Sequence, residues 1–291
     1  SEGLTRRFGK RTVVDGVGLA VRPGSITGFL GPNGAGKTTT ISLLLGLQKA
    51  QAGTCEVLGR PPGHPEALAR IGALVESPSL YDHLTGWENL EITRLMRGAP
   101  ASDIDRVLKL VDLARDARRP VREYSLGMRQ RLGMALALLG DPRLLILDEP
   151  TNGLDPSGIQ DMRELIRSLP REVGTTVFLS SHLLAEVEQV AEDLVVIHKG
   201  RLRYQGSTAG LGAAGPAELM VRVGEAAKAQ ATLGALGFPA REAEGRLWIQ
   251  AKEEEAPRIA VALVEQGCTL YELAPRKVNL EARFLALLEE A

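Results

Sequence analysis

The chain has 291 residues, 44% of them hydrophobic and 24% charged, with a formal net charge of −1. These values are typical of a folded globular protein of about two domains, and they exclude a disordered chain and a strongly basic partner of nucleic acids. No stretch has the ~18 uncharged apolar residues of a membrane-spanning helix and no export signal opens the chain, so we expect a cytoplasmic protein.

The first recognisable motif is a phosphate-binding loop. Residues 6–24 read as short, turn-rich strands of an antiparallel flank, and the apolar strand "SITGFL" then leads into "GPNGAGKT", residues 31–38. This octapeptide fits Gly-x4-Gly-Lys-Ser/Thr at every specified position, between a predicted strand and a predicted helix. Its glycines let backbone N–H groups surround a β-phosphate, Lys37 brings a charge to the β/γ oxygens, and Thr38 offers a hydroxyl to Mg²⁺. The predicted nucleotide contacts in and beside the loop are Gly31, Pro32, Asn33, Gly34, Ala35, Gly36, Lys37, Thr38 and Thr39.

From residue 25 to 182, apolar β-type runs alternate with helical patterns, which predicts an α/β domain with a largely parallel sheet. Between about residues 81 and 139 helical periodicity replaces the strand signal, which predicts a helical insert. Within it, "SLGMRQR" places Ser125 and Gly127 at the start of an Ala/Leu-rich helix, where free N–H groups favour an anion. The alternative is that Ser125 only caps the helix, worth about 1 kcal/mol.

Two further strands end on residues that suit catalysis. "LLILDEP" carries Asp148 to the C-terminal end of a strand, where α/β sheets bind ligands, and its carboxylate can hold Mg²⁺ through water. Glu149 can orient a water beyond the γ-phosphate and accept its proton; the alternative is a solvated acidic turn ended by Pro150. His182 follows the strand "TTVFLSS" and could donate to the γ-phosphate. These residues predict a nucleotide triphosphatase with Glu149, His182 and Lys37 as catalytic groups.

The C-terminal part of the sequence predicts a separate small domain. The small-residue segment "GSTAGLGAAGP" predicts a linker over 207–216, between an ATP-binding domain over 1–206 and a small α+β domain over 217–291. That domain reads strand, helix, two strands, helix, strand and helix, and it carries no recognisable chemistry. The aromatic residues of these elements fall at apolar positions, which favours core packing; they are Trp248, Tyr271 and Phe284.

The order and spacing of the motifs resemble the nucleotide-binding subunits of ABC transporters over about residues 3–206. The match consists of the phosphate loop, "YSLGMRQR" as signature, "LLILDEP", "NGLD" and then the histidine. The resemblance implies a P-loop NTPase fold of ABC type, ATP and Mg²⁺ as cofactors, and ATP hydrolysis coupled to transport. It also implies an integral membrane permease as partner, which would hold the chain at the inner face of the cell membrane. The charge balance gives no reason to expect a nucleic-acid partner.

In that family the signature binds the γ-phosphate held by a second subunit, which implies an ATP-dependent dimer of this chain. Ser125 and Gly127 would contact the partner's ATP, and Asp155, in the "NGLDP" turn, would help to set the facing catalytic groups across the interface. A two-fold arrangement lets both copies use this device reciprocally. The commonest signature is Leu-Ser-Gly-Gly-Gln; Leu126 and Met128 depart from it, while the Ser and one Gly are kept, so we expect the anion site to function.

Two more site residues follow from the resemblance. Most family members have glutamine in the loop after "IGALV", where this chain has Glu76. Glu76 would put a third carboxylate near Mg²⁺, where it could ligate the metal, bind one of its waters, or raise the pKa of Glu149 by repulsion. Phe8 occupies the place of an aromatic ring stacked on adenine, although a core position in its strand would explain it as well. The predicted metal ligands are thus Thr38, Asp148 and Glu76.

The segment from Glu76 onward, together with the signature, is similar to the branch of bacitracin-resistance and lantibiotic-immunity ATPases. This implies export of a drug or peptide antibiotic. Tyr81 and Trp87 predict a docking groove for a cytoplasmic helix of the permease, or ordinary helix packing. The rival interpretation is a soluble ABC ATPase of translation or DNA repair, but those proteins usually carry two cassettes or long extensions. A regulatory module that hydrolyses little is a third, and the full catalytic set argues against it.

Overall fold

The computed structural model describes residues 1–213, 218–243, 245–275 and 280–289. The contacts within the chain divide it into two compact units. The first comprises Ser1–Thr208 and the last residues from Phe284 on, and the second comprises Ala209–Arg283.

The first unit is an α/β domain. Its strands and helices are, in chain order, β1 (Glu2–Phe8), β2 (Arg11–Val17), β3 (Ile26–Leu30), α1 (Lys37–Leu44), β4 (Ala52–Thr54), α2 (Pro65–Leu68), β5 (Ile71–Leu74), α3 (Gly86–Arg97), α4 (Ser102–Leu110), α5 (Leu126–Leu138), β6 (Leu144–Asp148), α6 (Pro156–Glu172), β7 (Thr176–Ser181), α7 (Leu184–Val187), β8 (Asp193–His198) and β9 (Arg201–Ser207). A central six-stranded sheet has the order β5-β6-β7-β3-β8-β9, and its neighbours are parallel except for β8 and β9. β1, β2 and β4 form a separate antiparallel sheet. Both the parallel sheet and the antiparallel flank confirm the predicted fold class.

The middle strands of the central sheet are covered on both faces. β3 and β7 are buried along their whole length, as expected for parallel strands with continuous apolar runs. The rings of Phe29 and Phe178 stack across this pair with centroids 5.2 Å apart. Their register places Leu30 beside Ser181, and Asp148 of β6 lies beside Ser180. Three strands therefore end together at one edge of the sheet, and the loops that follow them meet there.

The interval predicted as a helical insert contains the helices α3, α4 and α5. α3 begins with a capping box, in which the Thr85 hydroxyl accepts from the Glu88 N–H and the Glu88 carboxylate accepts from the Thr85 N–H. The Thr85 N–H and the Thr85 hydroxyl both donate to the Glu88 carboxylate, and these two hydrogen bonds lower the pKa of Glu88. A 3-10 turn over Val121–Glu123 precedes α5. The helical insert is confirmed because no strand lies between residues 81 and 139, all of which the structure describes.

The second unit is built on one antiparallel sheet. Its elements are β10 (Glu218–Val223), α9 (Ala226–Ala235), β11 (Ala240–Ala243), β12 (Arg246–Gln250), α10 (Ala256–Glu265) and β13 (Leu270–Pro275). The strand order is β11-β12-β10-β13, and every neighbouring pair is antiparallel. Alternate strand residues such as Leu219, Val221 and Ile249 share a core with Leu233 of α9 and Leu263 of α10. The predicted α+β sequence of elements is confirmed.

The region between and after these units differs from the sequence expectations. Residues 208–213 of the expected linker form helix α8 (Thr208–Ala213), and 214–216 lie outside the described residues. The last helix, α11 (Leu280–Glu289), crosses the division between the units, because its residues from Phe284 on group with the first unit.

Tyr271 is not a core residue, contrary to the sequence expectation. Its side chain is 58% exposed, and the Arg222 guanidinium lies 5.3 Å from its ring centroid. The cause is an irregularity in the pairing of β10 with β13, where Arg222 pairs with Glu272 but Val223 pairs with Leu270. Tyr271 is the extra residue, and such a bulge turns a side chain away from strict alternation.

Among the helices in the described ranges, none has both the length and the apolar character needed to cross a lipid bilayer.

Candidate functional site

A cavity of about 450 Å³ opens at the edge of the sheet where β3, β6 and β7 end. It is lined by Phe8, Arg11, Val13, Asn33, Gly34, Gly36, Lys37, Thr38, Thr39, Glu149, Asn152 and His182. The structure thus brings together residues predicted from three separate motifs: the phosphate loop, the acidic strand end and the histidine. Arg11, Val13 and Asn152 were not predicted from the sequence.

Glycine is required at several points of the phosphate loop. Gly34 and Gly36 have φ angles of 78° and 107°, in the left-handed region that other residues rarely adopt. A Cβ at Gly36 would lie 2.6 Å from the carbonyl oxygen of Val13, and one at Gly31 would lie 2.4 Å from that of Ile197. α1 starts directly after Gly36, at Lys37, so its free N–H groups face the loop. This backbone is suited to bind an anion.

Lys37 is buried in the loop, with only 6% of its side chain exposed. Its ammonium group donates to the carbonyl oxygens of Gly31 at 2.7 Å and Pro32 at 3.4 Å. It also lies 3.1 Å from the Glu149 carboxylate. The loop therefore fixes a positive charge at the base of the cavity, next to the carboxylate that follows β6.

Asp148 is held between two hydroxyl groups. Thr38 donates to one carboxylate oxygen at 2.8 Å, and Ser180 donates to the other. Asp148 is only 2% exposed, so its orientation is fixed by these contacts. A carboxylate and an adjacent hydroxyl are oxygen donors of the kind that Mg²⁺ prefers, so these residues fit the metal.

Glu149 has an unusual backbone conformation that aims its side chain into the cavity. Its φ is 51°, a left-handed value that is costly for a residue with a Cβ. Its N–H donates to the backbone oxygen of Ser180 at 3.2 Å and to the Ser180 hydroxyl at 3.1 Å. The carboxylate lies 2.8 Å from Nδ1 of His182. Glu149 is thus placed between an ammonium group and an imidazole, where a carboxylate can accept a proton from a bound water.

The Ser180 contacts were not predicted from the sequence. The available signal was the pair of serines that ends the otherwise apolar "TVFLSS" strand. Polar residues that are completely buried at a strand end need hydrogen-bond partners, and Ser180 finds them in Asp148 and Glu149.

Phe8 lies at the end of β1 and is 46% exposed, so the alternative of a core position is wrong. The ring faces the cavity rim, and the Arg6 guanidinium lies 4.8 Å from its centroid. Stacking of Phe8 on adenine stays a prediction.

Ser125, Gly127 and Asp155 do not line the cavity. Ser125 is the exposed N-cap of α5 and accepts from the Met128 N–H at 3.3 Å. Asp155 is the exposed N-cap of α6 and accepts from the Gly158 N–H at 2.9 Å, a role that was not predicted. The two helix starts are adjacent, because a Cβ at Gly153 would lie 3.1 Å from the Leu126 side chain. Both polar caps therefore stabilise helices and remain exposed.

Glu76 is not brought to the cavity. It lies two residues beyond β5 with φ of 59°, its side chain is exposed, and it is absent from the cavity lining. In the part of the chain that the structure describes, no group of three or more Asp, Glu, His or Cys side chains could hold a metal ion. The structure therefore does not bring the Glu76 carboxylate beside Thr38 and Asp148, and metal binding by Glu76 stays a prediction.

Comparison with known proteins adds to this geometry. The family profile described as "ABC transporter" matches residues 14–152. "Uncharacterized ABC transporter ATP-binding protein YhcH" of Bacillus subtilis (strain 168) is 38% identical over 292 residues, covering 99% of this chain and 95% of that protein. "Bacitracin transport ATP-binding protein BcrA" of Bacillus licheniformis is 50% identical over 202 residues, 68% of this chain and 66% of that protein. A solved structure described as "Structure of ATP binding subunit of ABC transporter" matches with a TM-score of 0.65 at 28% identity, over 72% of this chain and 90% of that chain.

Proposed function

The chain belongs to the ATP-binding proteins of ABC transporters and is an ATPase, and we propose that it powers export of a drug or peptide antibiotic through a separate membrane-spanning subunit. The observation that carries the ATPase mechanism is the meeting of Lys37, Glu149 and His182 in one cavity below a phosphate loop. The proposal for export is supported by 50% identity to a bacitracin transport protein.

Nucleotide binding is assigned to the phosphate loop and its lysine. The N–H groups of Gly36, Lys37, Thr38 and Thr39, at the start of α1, would bind the β-phosphate, and the Lys37 ammonium group would contact the β/γ oxygens. Thr38 and Asp148 would hold Mg²⁺, which when bound neutralises charge on the β- and γ-phosphates. Phe8, which lines the cavity, would contact the adenine ring.

Hydrolysis is assigned to the groups around Glu149. Its carboxylate orients the attacking water and accepts a proton from it, while His182 donates to the γ-phosphate. In the structure the Glu149 carboxylate also contacts Lys37. Phosphate oxygens are competing acceptors for that ammonium group, so substrate binding would free Glu149 for the water.

The second half of the site is assigned to a second copy of this chain. Ser125 and Gly127 lie at an exposed helix start outside the chain's own cavity, where they are available to a γ-phosphate held by the partner. Asp155 is the N-cap of α6, and the preceding residue, Leu154, has its Cδ2 3.9 Å from where a Cβ at Gly127 would lie. Two copies in two-fold contact would thus enclose two ATP molecules, and hydrolysis would remove the contacts that hold the dimer.

Coupling to transport is assigned to the segment that begins at Glu76. Tyr81 is 54% exposed on this segment, while the ring of Trp87 is covered by the Arg118 guanidinium at 4.7 Å. Tyr81 is therefore the better anchor for a cytoplasmic helix of the permease. Docking there would place the chain at the inner face of the cell membrane.

The export proposal is tested in a bacitracin-sensitive bacterium that expresses the chain together with the product of the neighbouring gene, if that gene encodes about six apolar spans. We expect bacitracin resistance to rise with the native chain and to be lost with Glu149→Gln. We also expect the chain to be purified from membranes with an apolar, multi-spanning protein. Unchanged sensitivity, with the native chain recovered on ribosomes or DNA instead, would contradict export.

A further inference from the structure

One buried carboxylate near the catalytic residues has no role in the mechanism above. Glu186, in the short helix α7, is 8% exposed. Its Oε2 accepts from the hydroxyl of Thr151 at 2.6 Å and, more weakly, from the hydroxyl of Ser181 at 3.5 Å. Thr151 and Ser181 are buried as well, at 7% and 1% exposure. Glu186 thus joins two chain segments inside the protein by hydrogen bonds alone.

A hydrogen-bonded carboxylate is a costly way to join these segments. Removing a carboxylate from water is unfavourable unless it is paired or fully hydrogen-bonded. Within the described ranges Glu186 has hydroxyl donors but no cation as ion-pair partner. An apolar pair of the same size would be buried here at a lower cost in free energy. The hydrogen-bonded carboxylate therefore indicates that directional contacts are needed at this point.

The two joined segments carry the two central groups of the site. Thr151 follows Glu149 by two residues, in the turn where the Asn152 N–H donates to the Glu149 carbonyl oxygen. Ser181 directly precedes His182, and Glu186 follows His182 by four residues. The Glu149 carboxylate and His182 Nδ1 are 2.8 Å apart across the same gap. The segment that carries Glu149 and the segment that carries His182 are therefore joined by one buried hydrogen bond, from the Thr151 hydroxyl to the Glu186 carboxylate.

We propose that Thr151 and Glu186 form a positioning pair that keeps the Glu149 carboxylate in register with His182 during hydrolysis. Neither residue lines the cavity, so the pair acts through its neighbours and does not touch the nucleotide. The strained left-handed backbone of Glu149 makes such a restraint necessary, because an unrestrained turn would relax to a commoner conformation. This inference rests on the catalytic roles proposed above for Glu149 and His182.

The test removes the hydroxyl of Thr151 and keeps its shape, by Thr151→Val in the full-length chain. We expect kcat for ATP hydrolysis to fall by about tenfold or more, since small displacements of catalytic groups have large effects. The KM for ATP should stay within about twofold, because the nucleotide contacts are untouched. Thr151→Ser restores the hydroxyl and should recover most of kcat.

Thr175→Val is the matched control. Thr175 is fully buried just before β7, and its hydroxyl has no hydrogen-bond partner in the described part of the protein. The same chemical change there should leave kcat unchanged. Thermal unfolding of all three variants shows whether any loss of kcat follows loss of the folded state.

Native kcat in folded Thr151→Val would overturn the proposal, and so would a kcat in Thr151→Ser as low as that in Thr151→Val. A rise in KM with native kcat would overturn it too, because it would mean that the pair affects nucleotide binding and not the hydrolysis step. Glu149→Gln separates this inference from the proposed mechanism. If Glu149→Gln hydrolyses ATP normally, the mechanism itself fails; if it is inactive while Thr151→Val is fully active, only the positioning role fails.

Discussion

At the scale of single residues, the central feature of the site is one carboxylate with two basic neighbours. Glu149 contacts the ammonium group of Lys37 and the imidazole of His182, both within 3.1 Å. Lys37 in turn is held by carbonyl oxygens of its own loop. The charge proposed to bind phosphate and the carboxylate proposed to activate water are therefore positioned by the same set of contacts.

Replacing Lys37 tests the binding half of this arrangement. Lys37→Ala removes the only charged group of the loop, and we expect the affinity for ATP to fall at least about tenfold. Titration with a fluorescent ATP analogue measures this. Lys109→Ala, an exposed lysine on α4, is the matched control and should bind normally. Equal affinities of the two variants would remove Lys37 from the nucleotide site.

Residues whose role depends on local backbone conformation could be predicted from the sequence. The phosphate loop is defined by eight consecutive residues, and its glycine conformations follow from that pattern. The contact of Glu149 with His182 joins residues 33 apart, and that of Thr38 with Asp148 joins residues 110 apart. Such contacts depend on which strands are neighbours, and local patterns do not determine this.

At the scale of elements, α7 is the piece that connects the site to the central sheet. It follows His182 and carries Glu186, and its Val187 side chain lies against β3 at Gly28. A Cβ at Gly28 would lie 2.0 Å from Val187 Cγ1 and 3.2 Å from Leu194 Cδ2. Glycine is needed at this position because α7 packs closely against the sheet, and not because the backbone adopts an unusual conformation.

Adding one methyl group at this contact tests the role of α7. Gly28→Ala should displace α7, destabilise the first unit by about 1–3 kcal/mol and lower kcat. Hydrogen exchange of the α7 amides, denaturant unfolding and steady-state ATP hydrolysis measure these three effects. In Gly234→Ala, where nothing lies within 4 Å of the added Cβ in helix α9, stability should be unchanged or slightly higher. Native stability in Gly28→Ala would show that the contact is not tight.

The elements themselves were largely predictable, and the exceptions have physical causes. Continuous apolar runs identified β3, β6 and β7, because strands covered on both faces need no polar residues. Residues 208–213 form a helix although their glycines and small residues suggest a flexible linker. Small residues do not exclude a helix, since alanine favours one. Tyr271 was misplaced because a bulge shifts strand alternation by one residue, which periodicity cannot show.

At the scale of the whole molecule, the cavity of one chain contains only some of the groups assigned to hydrolysis. Lys37, Thr38, Glu149 and His182 line it, whereas the starts of α5 and α6 lie outside it with exposed caps. The central claim is that a second copy of the chain supplies those helix starts to the γ-phosphate. The second unit has its own core and none of the assigned site residues.

The most direct measurement of this claim is the mass of Glu149→Gln in solution, by size-exclusion chromatography with light scattering. With ATP and Mg²⁺ we expect twice the mass of one chain, because slow hydrolysis preserves the shared γ-phosphate. With ADP we expect the mass of one chain. Adding Gly127→Glu, which places a negative charge at the start of α5, should abolish the ATP-dependent dimer while ATP still binds. A monomer with ATP bound, or a dimer that is insensitive to Gly127→Glu, would contradict the account.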